Sequence, residues 1–159
     1  MKLIAALALA LGVAFAAPAL AQDKSSADAN MQILRDKIKA DKKLVVAANM
    51  KLTDAQAKKF WPIYDGYQNE LAKLNKRVAK VILDYAAADS KGAMSNELAT
   101  KLINESIAIE QAEAAARKNL AGKLHKALPG IAAARYLQIE AKIRAAVRYE
   151  LASEIPLVE

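Results

Sequence analysis

Cysteine is missing from all 159 residues. Its absence excludes a disulfide scaffold, a thiolate metal site, a cysteine nucleophile and an acylated lipoprotein anchor. His125 is the single histidine, so one chain cannot build a multi-histidine metal site. Glycine and proline are scarce, at five and four, and these residues mark the few places where the chain can turn. No glycine-rich phosphate loop, HExxH pair, calcium-binding loop or Walker pattern occurs. What the chain does have is a 55% apolar content and 24 Lys and Arg against 17 Asp and Glu, a formal charge of +7. That balance excludes a disordered polyelectrolyte and amounts to one domain's worth of chain.

The first segment reads as an export address. Lys2 supplies a positive start, residues 3 to 17 are uncharged and rich in Leu and Ala, and Pro18 interrupts the run. Ala19-Leu20-Ala21 then places small residues at the two positions a signal peptidase reads, so cleavage is expected after Ala21. An uncleaved membrane anchor is the rival reading, but alanine dominates the stretch and Pro18 breaks it. Cleavage would leave 138 residues with a charge of +6, enough chain for a core without staples. The compartment implied is the periplasm, which holds no nucleotide triphosphates.

The remainder reads as all-α with no β-sheet. Residues 22–30 are small and polar and form an expected leader, ahead of a single helical domain over 31–159. In the first helix Met31, Leu34, Ile38, Val45 and Ala48 follow a three-and-four spacing, with Asp41 at a rim or a cap. At Leu52-Thr53-Asp54-Ala55-Gln56, Thr53 can accept from the third backbone N–H of a new helix while Gln56 reaches back to the N–H of Thr53. From there Phe60, Tyr64, Tyr67, Leu71, Leu74, Val78, Val81 and Tyr85 alternate steps of four and three, predicting a packed helix from about Asp54 to Ala88. Pro62 lies inside it and should bend it.

Residues 89–94 have turn composition, and Ser95 suits the N-cap of a helix from Asn96 to about Leu128, with Leu102, Ile109, Ala116, Leu120, Leu124 and Ala127 inward. The two long helices, on the order of 50 Å each, should form an antiparallel hairpin, with the small residues Ala112 to Ala121 facing Leu71, Leu74 and Val78. Leu128-Pro129-Gly130 stops the third helix, and a shorter last helix from Ile131 should turn Tyr136, Ile139, Ile143, Val147 and Leu151 inward. The apolar tail Ile155-Pro156-Leu157-Val158 is expected to dock on a neighbour or a second subunit. So thin a hairpin cannot hide both faces, and a homodimer is the simplest way to cover one.

Candidate chemistry is weak and candidate binding is stronger. His125 sits between Leu124 and Lys126 on an ordinary helix, without a second signature of a catalytic triad. Glu105, Glu110 and Glu113 could be read as a cation site, but Arg117 four residues beyond Glu113 favours a surface ion-pair ladder. No enzymatic activity, metal or cofactor is expected. Phe60, Trp61 and Tyr64 crowd the start of the second helix, giving an apolar arc wider than one partner helix covers, although neighbouring helices could cover it as ordinary core. Lys73, Lys76, Arg77 and Lys80 form a basic ridge largely away from the seam, repeated by Arg35, Lys39, Lys42 and Lys43 and by Arg144 and Arg148. These rows repeat without matching acids in the sequence and would attract acidic polypeptide or, weakly, an anionic membrane surface. Nucleic acid is not expected as a partner of an exported protein. Phe60, Trp61, Tyr64, Lys73, Lys76, Arg77 and Lys80 are therefore the candidate client surface.

The order of these elements, with Leu52, Thr53 and Gln56 matching an LTxxQ motif, resembles the Spy/CpxP-type periplasmic proteins from about residue 44 onward. Where that family often has a second such motif, this chain reads Leu128-Pro129-Gly130-Ile131-Ala132, keeping the helix break without the Thr and Gln. The resemblance implies a curved, all-helical dimer that holds unfolding envelope polypeptides without ATP or takes part in an envelope stress response. It implies a structural role for Leu52, Thr53 and Gln56. The alternative is a structural or regulatory protein with one dedicated envelope partner.

Overall fold

The computed structural model describes residues 41–158. The expected signal peptide, the leader and the positions Met31, Leu34, Arg35, Ile38 and Lys39 lie outside that range. The fold is all-α: among the described residues the regular elements are helices and no strand occurs. They are α1, helical over 41–50, α2 (Asp54–Asp89), α3 (Asn96–Ala127) and α4 (Gly130–Glu154). The chain divides into two compact units. One spans Leu52–Ala134 and contains α2, α3 and the first turn of α4; the other joins the described residues through Lys51 to Arg135–Pro156.

In the first unit, each helix boundary has an identifiable local cause. Thr53 is extended and its Oγ1 accepts from the Gln56 N–H at 3.3 Å, while the Thr53 N–H donates to Gln56 Oε1 at 3.0 Å. This reciprocal pair satisfies two backbone groups that a bare helix start would leave to solvent. The preceding residue pair matters too: Lys51 has φ of 48°, a left-handed conformation that an L side chain adopts only at a cost, and it separates α1 from the cap. α2 stays helical through Pro62.

The end of α2 is closed by two bonds, Ala93 N–H to Ala88 C=O at 2.9 Å and Gly92 N–H to Asp89 C=O at 2.9 Å. These are the two bonds of a Schellman stop, and Gly92 at φ 58° supplies the left-handed residue it requires. Ser95 caps α3 by accepting from the Leu98 N–H at 3.2 Å. Leu128 is extended, as a residue before proline tends to be, and ends α3; the Pro129 carbonyl then accepts the first bond of α4 from Ala133.

α2 and α3 pack on each other, and the Arg77 to Glu105 ion pair sets an antiparallel register. Phe60, Tyr64, Tyr67 and Leu74 of α2 are buried, as are Leu102, Ile109, Ala116, Leu120 and Leu124 of α3. All nine were expected inward. Leu71, Val78, Val81 and Tyr85 are only half-buried, because towards the turn the seam is narrow; Ala127, at the far end of α3, is half-buried too.

In the second unit two expected faces are corrected. α1 buries Val46 and Met50, whereas Val45 is half-buried and Ala48 is exposed. The run Leu44-Val45-Val46 is apolar at three successive positions and so is compatible with more than one face. α4 buries Tyr136 and Glu140, while Ile139, Ile143, Val147 and Leu151 are half-buried. In the apolar tail Ile155 is half-buried, whereas Leu157 is 89% and Val158 57% exposed.

Removing the reciprocal cap should be felt locally. Thr53→Ala is expected to destabilise the protein by about 1 kcal/mol, read as a lower urea midpoint with unchanged slope, and Thr53→Ser should restore most of it.

Candidate functional site

The basic ridge of α2 is not a row of unmatched cations. Arg77 Nε donates to Glu105 Oε1 of α3 at 2.8 Å, and Lys80 Nζ donates to both carboxylate oxygens of Asp84 at 3.0 and 2.9 Å, one turn further along α2. Two of the four ridge residues are thus neutralised, one by an acid 28 residues away in sequence. The other two, Lys73 and Lys76, are exposed. The expectation that the ridge lacks matching acids is corrected by the helix pairing, which brings Glu105 to Arg77.

These ion pairs border an open groove of about 580 Å³ along one side of the hairpin. Its charged lining is Arg77, Lys80 and Lys101 against Asp84, Glu97 and Glu105, with Val81 and Leu102 contributing apolar surface. Cations and anions balance, so the groove has no net attraction for either sign. The pairing favours the charged form of both members. The hydrogen bond from Arg77, helped by its charge, holds the Glu105 carboxyl below the ordinary glutamate range, and the same bond raises the Arg77 guanidinium. Glu97, in the first turn of α3, is also lowered, by its own backbone N–H and by Ser95. Both Arg77 and Glu105 side chains are about 40% exposed, so solvent screens this interaction and it orients more than it stabilises.

The aromatic part of the candidate surface is corrected as well. Phe60 and Tyr64 are buried and Trp61 is half-buried. Their rings pack on one another: Phe60 and Trp61 centroids are 5.0 Å apart, Trp61 and Tyr64 5.3 Å at near right angles, and Phe60 and Tyr64 6.0 Å. Edge-to-face contacts of this kind add to area burial. Phe60 and Tyr64 lie one turn apart on the inward stripe, so burial claims them and leaves only part of Trp61 at the surface. A client would have to unpack the core to reach the first two.

A polar cluster in the second unit has no counterpart among the sequence expectations. Glu140 of α4 is 6% exposed. Its Oε2 accepts from Lys42 Nζ of α1 at 3.0 Å and its Oε1 accepts from the Tyr136 hydroxyl at 2.8 Å. Among the described residues no buried side-chain nitrogen or oxygen lacks a partner. The available signal was the i, i+4 spacing of Tyr136 and Glu140, but a lone acid between Ile139 and Ile143 reads as a rim residue. Lys42 was grouped with a surface basic row for the same reason. The cluster ties α1 to α4: each carboxylate oxygen of Glu140 accepts a hydrogen bond, one of them from across the helix pair.

His125 is exposed. Among the described residues no group of three His, Cys, Asp or Glu is placed to hold a metal ion, and no helix is long and apolar enough to cross a membrane. Several large apolar side chains remain at the surface: Leu44, Leu83, Ile103, Ile107, Ile131 and Tyr149 are each about half or more exposed. Three of these, Leu83, Ile103 and Ile107, lie on the hairpin.

Two measurements test these clusters. Glu140→Ala leaves the Lys42 ammonium mostly buried without its acid, so it should lower stability by about 3 kcal/mol, whereas Lys42→Met combined with Glu140→Leu should recover most of the loss. Depressed carboxylates stabilise the fold at pH values above the ordinary glutamate pKa of about 4.3, and that contribution is lost as pH falls through their lowered folded values. The melting midpoint should therefore be flat from neutral pH to about 5 and fall below about 4, with Glu105→Gln showing a shallower fall.

No known family model matches the chain, and no curated protein or solved structure is similar to it.

Proposed function

We propose that this protein is an exported, ATP-independent binding protein of the Spy/CpxP type that holds non-native envelope polypeptides on its α2–α3 hairpin. The observation that carries the reading is the exposure of Leu83, Ile103 and Ile107 on a two-helix layer. A hairpin has only one shared seam, and here aliphatic side chains stand outside it. Exposed apolar patches mark interaction surfaces, and Ile103 and Ile107 stand one turn apart on the same face of α3. The amino-terminal segment supports a periplasmic location, where a holding activity must work without nucleotide.

Leu52, Thr53 and Gln56 serve this role indirectly. Their cap starts α2 at a defined residue, and the register of every outward side chain on α2 follows from it. Lys73 and Lys76, exposed on the back of α2, add solubility and a diffuse attraction for acidic segments. A protein with one dedicated partner would show saturable one-to-one binding instead. Homodimerisation through the exposed aliphatic groups is compatible with the holding role if the contact is weak enough for a client to displace it.

Insulin reduced with dithiothreitol is a suitable aggregating client, because a chain without cysteine is indifferent to the reductant. Light scattering should be suppressed in proportion to added protein without ATP. Unchanged scattering at equimolar protein would remove the holding function, and recovery of a single stoichiometric partner from envelope extract would favour the dedicated-partner role.

A further inference from the structure

The solvent side of α4 between Arg135 and Ser153 carries cations without acids. Its exposed residues include Arg135, Lys142 and Arg148 and no aspartate or glutamate. At 3.6 residues per turn they fall within about 80° of one line along the helix, near which Gln138, Ala145 and Tyr149 lie. The three acids of this stretch are turned about 120° to 160° from that line: Glu140 is buried with Lys42, Glu150 is half-buried and Glu154 closes the helix. Arg135 and Lys142 enter none of the ion pairs between described residues, while Arg148 interacts within the chain as well. Apolar groups follow these cations closely. Among the described residues eight large apolar side chains are exposed, and three of them, Tyr149, Leu157 and Val158, fall in the last ten positions, at 74%, 89% and 57%. Leu157 comes directly after Pro156, so chain connectivity alone keeps it near the end of α4.

We propose that this part of the chain is a peripheral membrane contact, in which the cations of α4 meet the phosphate headgroups of an anionic lipid surface while Tyr149, Leu157 and Val158 enter the headgroup boundary. The contact is independent of the holding of clients on the hairpin. A row of cations without acids selects an anionic partner. Three features then favour lipid over acidic polypeptide. Arg135 to Arg148 spans about 20 Å along the outside of one helix, which a broad plane of phosphates can meet in any register, whereas an acidic segment would need carboxylates at matching intervals. Tyr149 has an apolar ring with a polar tip, the combination that suits a membrane–water boundary. Leu157 and Val158 supply a second, apolar attachment, and a few cations or two aliphatic side chains alone would bind only marginally. The exposed lysines Lys118, Lys123 and Lys126 of α3 lack this second element, since the exposed residues among them are Asn119, Gly122 and His125.

The experiment floats the mature protein with vesicles of phosphatidylcholine alone and of an equal mixture of phosphatidylcholine and phosphatidylglycerol. Binding to the mixed vesicles should be at least about tenfold stronger and should weaken as salt is raised. Arg135→Gln combined with Lys142→Gln should lower the partition constant about 25-fold, about fivefold for each cation. Leu157→Ser combined with Val158→Ser should lower it at least about threefold, and Lys118→Gln combined with Lys123→Gln less than about threefold. All these positions are exposed, so helicity should be kept; if the α4 variant melts, Ala145→Glu sets an acid near the middle of the same face and should weaken binding too.

Equal binding to the two kinds of vesicle would overturn the proposal, as would a loss in the Lys118, Lys123 variant as large as that in the Arg135, Lys142 variant. Poly-glutamate binding that depends on Arg135 and Lys142, with no vesicle binding, would show that the partner is an acidic polypeptide and would also overturn it.

Discussion

Two helices packed side by side share one seam, and a helix has more than one face. That constraint governs the α2–α3 hairpin. Near the start of α2 the apolar arc is wide and fully used: Phe60, Tyr64 and Tyr67 are buried and the aromatic rings pack edge to face. Near the turn only the seam itself is covered, Leu71, Val78 and Val81 become half-buried, and Ile103 and Ile107 stand outside. A hairpin of this kind is stable because its inner stripe is continuous over many turns, and it leaves large aliphatic side chains outside that stripe.

Electrostatics divides the molecule into two regimes. On the hairpin, Arg77 with Glu105 and Lys80 with Asp84 are exposed pairs that set register and cancel local charge, at little net gain in stability. In the other unit, Glu140 with Lys42 and Tyr136 is a nearly buried cluster in which every polar atom has a partner. Burying such a pair stabilises little compared with an apolar replacement, but breaking it leaves a charge out of water. It therefore acts as a registration device between α1 and α4. The face of α1 shows this: Lys42, Val46 and Met50 follow one another at single turns, and the stripe that includes Lys42 is the one that is buried.

Much of the helical layout was legible residue by residue. Thr53 and Gln56 announce a reciprocal cap, Ser95 a simple one, residues 89–94 a turn and Leu128-Pro129 a helix stop, and each is found in its place. These are local events within five residues, so no distant part of the chain is needed to specify them. The candidate surface was less legible. Phe60 and Tyr64 look equally suited to a client and to a core, because hydrophobicity does not say what will cover it. The ridge from Lys73 to Lys80 looked uncompensated because its main acid, Glu105, is on another helix.

The sequence alone determined the all-helical character, the places where α2, α3 and α4 begin and end, and the inward stripe of the long helices, since capping and periodicity are properties of neighbouring residues. The tertiary structure decided the rest. It buried Glu140 against Lys42, neutralised Arg77 through Glu105, sank Phe60 and Tyr64 into the core, and left Ile103 and Ile107 outside. Each of those outcomes depends on which surfaces of distant segments meet, and a linear pattern encodes the face a side chain points from but not what it will point at.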